Sequence, residues 1–357
     1  MPMKKLPLIL IVTLIFILGP SLKLTSCNNF GCSLGLGNNV AYAANTKFGA
    51  LLKYAHTFFP NHTNDNDREI YYNALKEINL DIIEFYIFPD EWWLYKDMYV
   101  DLANEIRNDG KELYLAYGIG EYQQYKTYNN FQEYTEEAEL VISDIVKTLN
   151  PEYFSIVVEP DYVENCANII VSDEEWIQYI NSMAIEVKKI SPSTQTIATT
   201  QAFDKELPLF ERLAGLDSLD KIGINPYFNS VVTISPDYPA KEHVIQTILK
   251  VNSVKPVWFT EVWLMASLKE IENKIPDAQQ RAVAIEGYLG SILEFSINNN
   301  IEYVSPFFTE HFFTYSFDHS EIDQALKANQ RTKAFTIYQD FVSDIEPPAA
   351  PKGLMVL

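Results

Sequence analysis

The chain has 357 residues, 47 % of them hydrophobic, which is enough to bury the core of one large domain or two average ones. A formal net charge of −21, from 48 acidic and 27 basic residues, opposes binding to nucleic acid or to an anionic membrane surface. The five histidines form no HExxH or similar ligand spacing, and the three cysteines are too few to hold a fold together by disulfides. We therefore expect neither a cofactor nor a metal site. We also expect a monomer.

The N-terminus has the layout of an export signal. Lys4 and Lys5 precede an apolar run at 6–18 that is too short to span a bilayer comfortably. Residues 1–26 are therefore predicted to be a signal peptide and 27–45 a spacer, which makes the protein secreted or extracellular.

Two processing sites compete in this region. The segment Leu-Thr-Ser-Cys at 24–27 resembles a bacterial lipobox and would place a lipid anchor on Cys27, although Lys23 counts against it. The segment Ala-Tyr-Ala at 41–43 is an A-x-A site, but it lies far from the apolar run. The only membrane contact that we expect is through a lipid at Cys27.

Apolar runs typical of parallel strands buried on both faces then alternate with helical segments. The predicted strands are 48–55, 81–88, 112–118, 153–159, 194–200, 221–228, 256–261 and 301–308. The predicted helices include 67–78, 132–149, 173–190, 242–251 and 278–298, with a final one at 322–342.

This pattern predicts a (β/α)₈ TIM barrel over 46–343. A doubly wound open sheet is the alternative, but no G-x-G-x-x-G or Walker A turn follows the first strand. Residues 344–357 form a Pro-rich linker, and the segment from 351 either resembles the start of a fibronectin type III module or is a disordered tail.

Active sites of such barrels lie at the carboxyl ends of the strands, where two glutamates follow long apolar runs. Glu159 closes the fourth predicted strand and Glu261 closes the seventh. They are 102 residues apart, which corresponds to about three units of the roughly 31 residues found in typical barrels. Two carboxyl groups facing each other across a barrel mouth suit glycoside hydrolysis, in which one donates a proton to the leaving oxygen and the other attacks the anomeric carbon.

The segments Val158-Glu159-Pro160 and Thr260-Glu261-Val262-Trp263 resemble those of clan A glycoside hydrolases, whose catalytic residues end strands four and seven. The resemblance implies that Glu159 is the acid/base, that Glu261 is the nucleophile and that the anomeric configuration is retained. It also implies that Tyr227, after strand six, hydrogen-bonds the nucleophile.

The chain departs from the clan pattern at two positions. Val158 stands where an Asn usually contacts the sugar 2-hydroxyl, and no arginine ends strand two. Either Asn225 or Gln201 supplies the missing contact, or the family is an outlying one, or the barrel no longer catalyses.

Other polar and aromatic residues near the strand ends are candidates for binding a carbohydrate substrate. The adjacent pair Trp92-Trp93, interpreted as part of the second βα loop, can stack on sugar rings. Weaker candidates for such contacts are Trp263, Glu310, His311, Glu84, Glu121, His56 and Phe312.

The leading hypothesis is an exported retaining glycosidase that acts on a β-linked plant or microbial polysaccharide. Endo action, meaning cleavage within the polymer, is favoured over exo action. One alternative is a catalytically inactive carbohydrate-binding barrel, for which Val158 is the main argument. Another is an unrelated barrel enzyme such as an aldolase or isomerase, although export without a phosphate site argues against it.

Overall fold

A computed structural model of the chain describes residues 46–52, 65–119, 127–226, 242–262, 264, 275, 277–316 and 318–344. The predicted signal peptide, the spacer and the Pro-rich C-terminal segment lie outside these residues. Within the described ranges, we find no helix with the length and hydropathy needed to cross a membrane.

Eight parallel strands pair in chain order and close into a barrel, which confirms the predicted (β/α)₈ fold. The strands are β1 (Lys47–Leu51), β2 (Ile82–Ile87), β3 (Glu112–Tyr117), β4 (Tyr153–Val158), β5 (Gln195–Gln201), β6 (Ile222–Asn225), β7 (Val257–Val262) and β8 (Tyr303–Pro306).

The helices pack around the outside of this barrel. Those among the described residues are α1 (Asp65–Ile78), α2 (Pro89–Asn108), α3 (Phe131–Leu149), α4 (Pro160–Ala167), α5 (Asp173–Ile190), α6 (Leu207–Ala214), α7 (Glu242–Asn252), α8 (Ala278–Asn298), α9 (His319–Lys327) and α10 (Lys333–Asp344). A 3₁₀ turn over Thr309–Phe312 follows β8.

Two predicted boundaries are wrong for identifiable reasons. The fourth strand ends at Val158, because Glu159 has a left-handed backbone with φ of 56° and starts α4 instead. The single final helix predicted at 322–342 is two helices, α9 and α10, because Asn329 adopts φ of 50° between them.

Aromatic side chains fill the interior of the barrel below its carboxyl-terminal mouth. The rings of Trp258 and Tyr303 lie 4.3 Å apart, and Tyr114 packs edge-on against both at 5.5 and 5.9 Å. The larger apolar core lies between the strands and the helices. The barrel is therefore a packed core, and any ligand must bind at its mouth.

The strand register is irregular in β4 and β7, the two strands that lead to the predicted catalytic glutamates. The pairing of β4 with β5 shifts between Ser155 and Val158, and that of β7 with β8 shifts between Phe259 and Val262. Such bulges reorient side chains near active sites. Both occur within a few residues of the mouth.

Candidate active site

Glu159 lies at the carboxyl end of β4 with only 6 % of its surface exposed. Its Oε2 accepts a hydrogen bond from Gln201 Nε2 at 2.5 Å, and its Oε1 accepts one from Asn225 Nδ2 at 2.6 Å. Its left-handed backbone conformation is uncommon for a residue with a side chain and turns the chain sharply out of the sheet. The carboxyl group is thus held at both oxygens at the mouth of the barrel.

The orientation of the Asn225 amide is fixed from the opposite side. Thr260 Oγ1 donates a hydrogen bond to Asn225 Oδ1 at 2.6 Å, so Asn225 Nδ2 is the atom that faces Glu159. Asn225 is fully buried. One of the alternatives that the sequence leaves open is that Asn225 or Gln201 contacts the sugar in place of the missing clan asparagine. The structure instead directs both amides at Glu159.

Glu261, on β7 next to Thr260, is 5 % exposed and accepts a hydrogen bond from the hydroxyl of Tyr86. Tyr86 comes from β2, and its ring stacks on Phe88 and meets Phe307 edge-on, each at 6.3 Å. Burial, with the nearby Glu261 carboxylate, raises the pKa of Tyr86 well above its usual value, so this hydroxyl remains a donor. The end of β2, where many clan members carry an arginine, here supplies a neutral tyrosine.

Glu84, which the sequence suggested as a subsite residue, is not at the mouth. It lies two residues before Tyr86 on β2, is fully buried inside the barrel, and accepts a hydrogen bond from the Tyr303 hydroxyl at 3.2 Å. Burial raises its pKa to about 8, and the hydroxyls of Tyr303 and Ser305 only partly oppose this. Glu84 is therefore a neutral acid below the site and cannot touch a sugar.

The prediction that Trp92 and Trp93 share a loop is wrong, because both belong to α2. Trp92 is fully buried, and its indole Nε1 donates to Asp144 Oδ2 at 2.8 Å. It therefore cannot be a sugar platform. Trp93 is 51 % exposed and lies in the first turns of α2, which begins directly after the carboxyl end of β2.

Glu310 and His311 lie in the 3₁₀ turn that follows β8, again at the carboxyl end of the barrel, and both are buried. The His311 ring is 5.6 Å from Phe308 and 6.1 Å from Tyr315, with Nδ1 3.2 Å from the Thr314 carbonyl oxygen. The Phe312 side chain is also buried, among apolar residues of the outer core.

Several predicted site residues lie outside the described residues, and their roles stay predictions. They are Tyr227, Trp263, Glu121 and His56.

Sequence reasoning missed Tyr86 and Thr260 as parts of the site, and it also missed Glu206. Glu206 is buried after β5, where its carboxyl group accepts the backbone N–H of Gln201 at 2.7 Å. Tyr86 and Thr260 lie on strands that read as near-continuous buried runs, in which inward and outward positions look alike. A signal for α2 was present, since Pro89, Asp90 and Glu91 are typical of a first helical turn.

No protein-family model and no curated relative matches the sequence. In fold, the chain is similar to a GH5_18 variant from Streptomyces cattleya in complex with Manβ1-4GlcNAc, with a TM-score of 0.59 and 9 % identity over 85 % of this chain and 82 % of that one. It is also similar to XacCel5A in complex with cellopentaose, with a TM-score of 0.56 and 9 % identity over 84 % and 100 % of the two chains. For the catalytic core of xylanase A the TM-score is 0.54, with 12 % identity over 83 % and 98 %. At these identities the likeness establishes the fold, a (β/α)₈ barrel that this chain shares with proteins solved with oligosaccharides or named as a xylanase.

Proposed function

We propose that this protein is a retaining β-glycosidase in which Glu159 is the acid/base and Glu261 is the nucleophile. The observation that carries the proposal is the pair of buried carboxyl groups at the carboxyl ends of β4 and β7, each held by its own hydrogen-bond donors. The likeness in fold to glycoside hydrolases, and the complexes of two of them with oligosaccharides, supports the same reading.

In the first step the carboxylate of Glu261 attacks the anomeric carbon while protonated Glu159 gives its proton to the leaving oxygen. The Tyr86 hydroxyl, which donates to Glu261, stabilises the ionised form that a nucleophile requires. The bond from the sugar to the leaving oxygen breaks as the bond to Glu261 forms.

In the second step Glu159 is the base that takes a proton from water, and the water oxygen displaces Glu261 from the anomeric carbon. Amide donors at both oxygens of Glu159 suit its ionised form in this step. The two displacements together leave the configuration at the anomeric carbon unchanged.

The substrate that fits these features is a neutral polysaccharide met outside the cell. The predicted export signal and the net charge of −21 favour an uncharged extracellular polymer over a phosphorylated metabolite. The exposed indole of Trp93 offers a stacking surface for a sugar beyond the cleavage site.

A binding-only barrel is the second candidate, and Val158 favours it. This side chain is 8 % exposed and packs with the apolar residues inside the barrel, so it cannot hydrogen-bond the sugar 2-hydroxyl. The amides of Gln201 and Asn225, which are the candidates for replacing that contact, both donate to Glu159 instead.

The test is release of reducing sugar from a panel of β-glucans, mannans, xylans and galactans by the wild type, Glu159→Gln and Glu261→Gln. Glu84→Gln is the matched control, since it makes the same chemical change in a buried carboxyl below the site. We expect release by the wild type and the control, and a loss of at least about 1,000-fold in kcat for Glu261→Gln.

Unchanged release by Glu261→Gln would remove this residue from the chemistry. No release by the wild type, with retardation on one polysaccharide in an affinity gel, would instead establish the binding-only barrel.

A further inference from the structure

Glu206 occupies an unusual place next to the proposed acid/base. It is the residue before the first turn of α6, but its side chain makes no capping hydrogen bond to that helix. Its carboxyl group turns back toward the end of β5, where Oε2 accepts the backbone N–H of Gln201 at 2.7 Å. Only 1 % of Glu206 is exposed, and its Oε1 has no hydrogen-bond partner among the described residues.

The strand geometry explains why the Gln201 N–H needs this acceptor. Glu159 donates its N–H to the carbonyl of Thr199, so a regular parallel ladder would next join the Gln201 N–H to the carbonyl of Glu159. That carbonyl instead accepts the N–H groups of Tyr162 and Val163 in the first turn of α4, at 2.9 and 3.0 Å. The left-handed turn at Glu159 thus removes the ladder partner of Gln201, and the Glu206 carboxyl replaces it.

Gln201 is the link between this backbone contact and the chemistry. Its side-chain Nε2 donates to Glu159 Oε2 at 2.5 Å, and its backbone is fixed by Glu206 on one side and by pairing with Asn225 of β6 on the other. An amide that must hold a carboxyl group in place needs a fixed backbone, since small displacements of a catalytic group are costly. Glu206 supplies that fixed point.

Glu206 is also compatible with a second carboxyl group nearby, because it is neutral. Burial, together with the negative charges of Asp161 and Glu159, raises its pKa to about 8 against the opposing effects of the Gln201 N–H and the Lys205 ammonium. Lys205 itself forms an ion pair with Asp161. A protonated Glu206 can therefore be replaced by glutamine with little change in shape or charge.

We propose that Glu206 is a positioning residue for general acid catalysis, because it fixes Gln201 and through it the carboxyl group of Glu159. The inference rests on the proposed function and adds to it a residue that touches neither substrate nor the reacting atoms. Proton donation by Glu159, and not substrate binding, then depends on a residue of the β5–α6 turn.

Glu206→Ser is the decisive variant, with Glu206→Gln as its control. Serine is a favoured residue at a helix N-cap, so it can cap α6 while being too short to reach the Gln201 N–H. Glutamine keeps the acceptor. Each variant is assayed as kcat/KM on two aryl glycosides of the sugar that the wild type releases, one with a dinitrophenyl and one with a phenyl leaving group.

A good leaving group needs little help from a general acid, whereas a poor one needs much. Glu206→Ser is therefore expected to lose about tenfold or more on the phenyl glycoside and less than about threefold on the dinitrophenyl glycoside. Glu206→Gln is expected to stay within about threefold of the wild type on both. Should Glu206→Ser fail to fold, Gln201→Met, which removes the amide and keeps the length, is expected to give the same selective loss.

Equal losses on both substrates would assign Glu206 a merely structural role, and no loss on either would also overturn the inference. A wild type that cleaves no glycoside would refute the proposed function and the inference with it. An active wild type, with leaving-group dependence unaltered in Glu206→Ser and in Gln201→Met, would refute only the role of Glu206.

Discussion

Replacing Glu84 by glutamine should stabilise the barrel at neutral pH and leave it almost unchanged at pH 4.5. Glu84 is fully buried inside the barrel, where burial raises its pKa and only the hydroxyls of Tyr303 and Ser305 oppose that rise. Glutamine has nearly the same shape, can still accept the hydrogen bond from Tyr303, and does not titrate.

The magnitude follows from the pKa, which is 4.5 in the unfolded chain and about 8 in the folded barrel. Because the folded state holds its proton more tightly, the stability from this group is fully present below pH 4.5 and is lost as pH rises through 8. The loss is at most ~1.4 kcal/mol per pH unit, which amounts to about 3 kcal/mol at pH 7 and about 5 kcal/mol above pH 8.

The assay is urea unfolding of the wild type and Glu84→Gln at pH 5, 6, 7 and 8, compared as a difference in the free energy of unfolding. Taking this difference at each pH cancels the contributions of the other titrating groups to the free energy of unfolding. The variant should gain on the wild type by about 1 kcal/mol per pH unit over this range. Glu139→Gln, which makes the same change at an exposed position of α3, is the control.

A flat difference for Glu84→Gln, or one in which the wild type gains with rising pH, would refute the reasoning. It would mean that the carboxyl group is ionised inside the barrel or that water reaches it.

Four further substitutions separate catalytic from structural roles. Tyr86→Phe removes a hydrogen bond to the charged Glu261, worth about 1.5–3 kcal/mol, so kcat/KM should fall by about 10- to 100-fold. The acid limb of the pH profile of kcat/KM should also move to higher pH. An acid limb that stays in place would exclude the contact between Tyr86 and the nucleophile. Trp92→Ala should cost about 3–5 kcal/mol of stability, whereas Trp93→Ala should cost less than about 0.5 kcal/mol and should only raise KM for polysaccharide. Urea unfolding measures the stability changes, and initial rates measure KM. A large loss of stability in Trp93→Ala and a small one in Trp92→Ala would contradict the burial of the two rings. Thr260→Val, which removes the donor that orients the amide beside the acid/base, should cost about 1 kcal/mol in stability and lower activity more on poor leaving groups than on good ones.

The sequence was sufficient to predict the barrel because all eight strands are buried on both faces and alternate with helices. It also located Glu159 and Glu261, since each is the polar residue at or beside the end of an apolar run. The same burial concealed the inner face of β2, where Glu84 and Tyr86 point into the barrel at different depths. Only the register of the strands in the closed barrel shows that Glu84 lies below the site and that Tyr86 lies within it.

The wrong prediction for Trp92 and Trp93 is explained by their positions on a helix. Adjacent tryptophans in a loop would both be available, but in a helix neighbouring residues point about 100° apart. In α2 this places Trp92 against Asp144 of α3 and leaves Trp93 outside. The role of Glu206 depends on a ladder partner lost at Glu159, which no local sequence pattern records.

The covalent bond that we propose between Glu261 and the sugar is tested most directly by trapping it. A deoxyfluoro glycoside with a good leaving group slows the second step, so the glycosyl-enzyme accumulates and can be located by peptide mass spectrometry. We predict one sugar per chain, on the peptide that contains Glu261, and none in Glu261→Gln. A label on another carboxyl group, or hydrolysis that inverts the anomeric centre and leaves no label, would contradict the account.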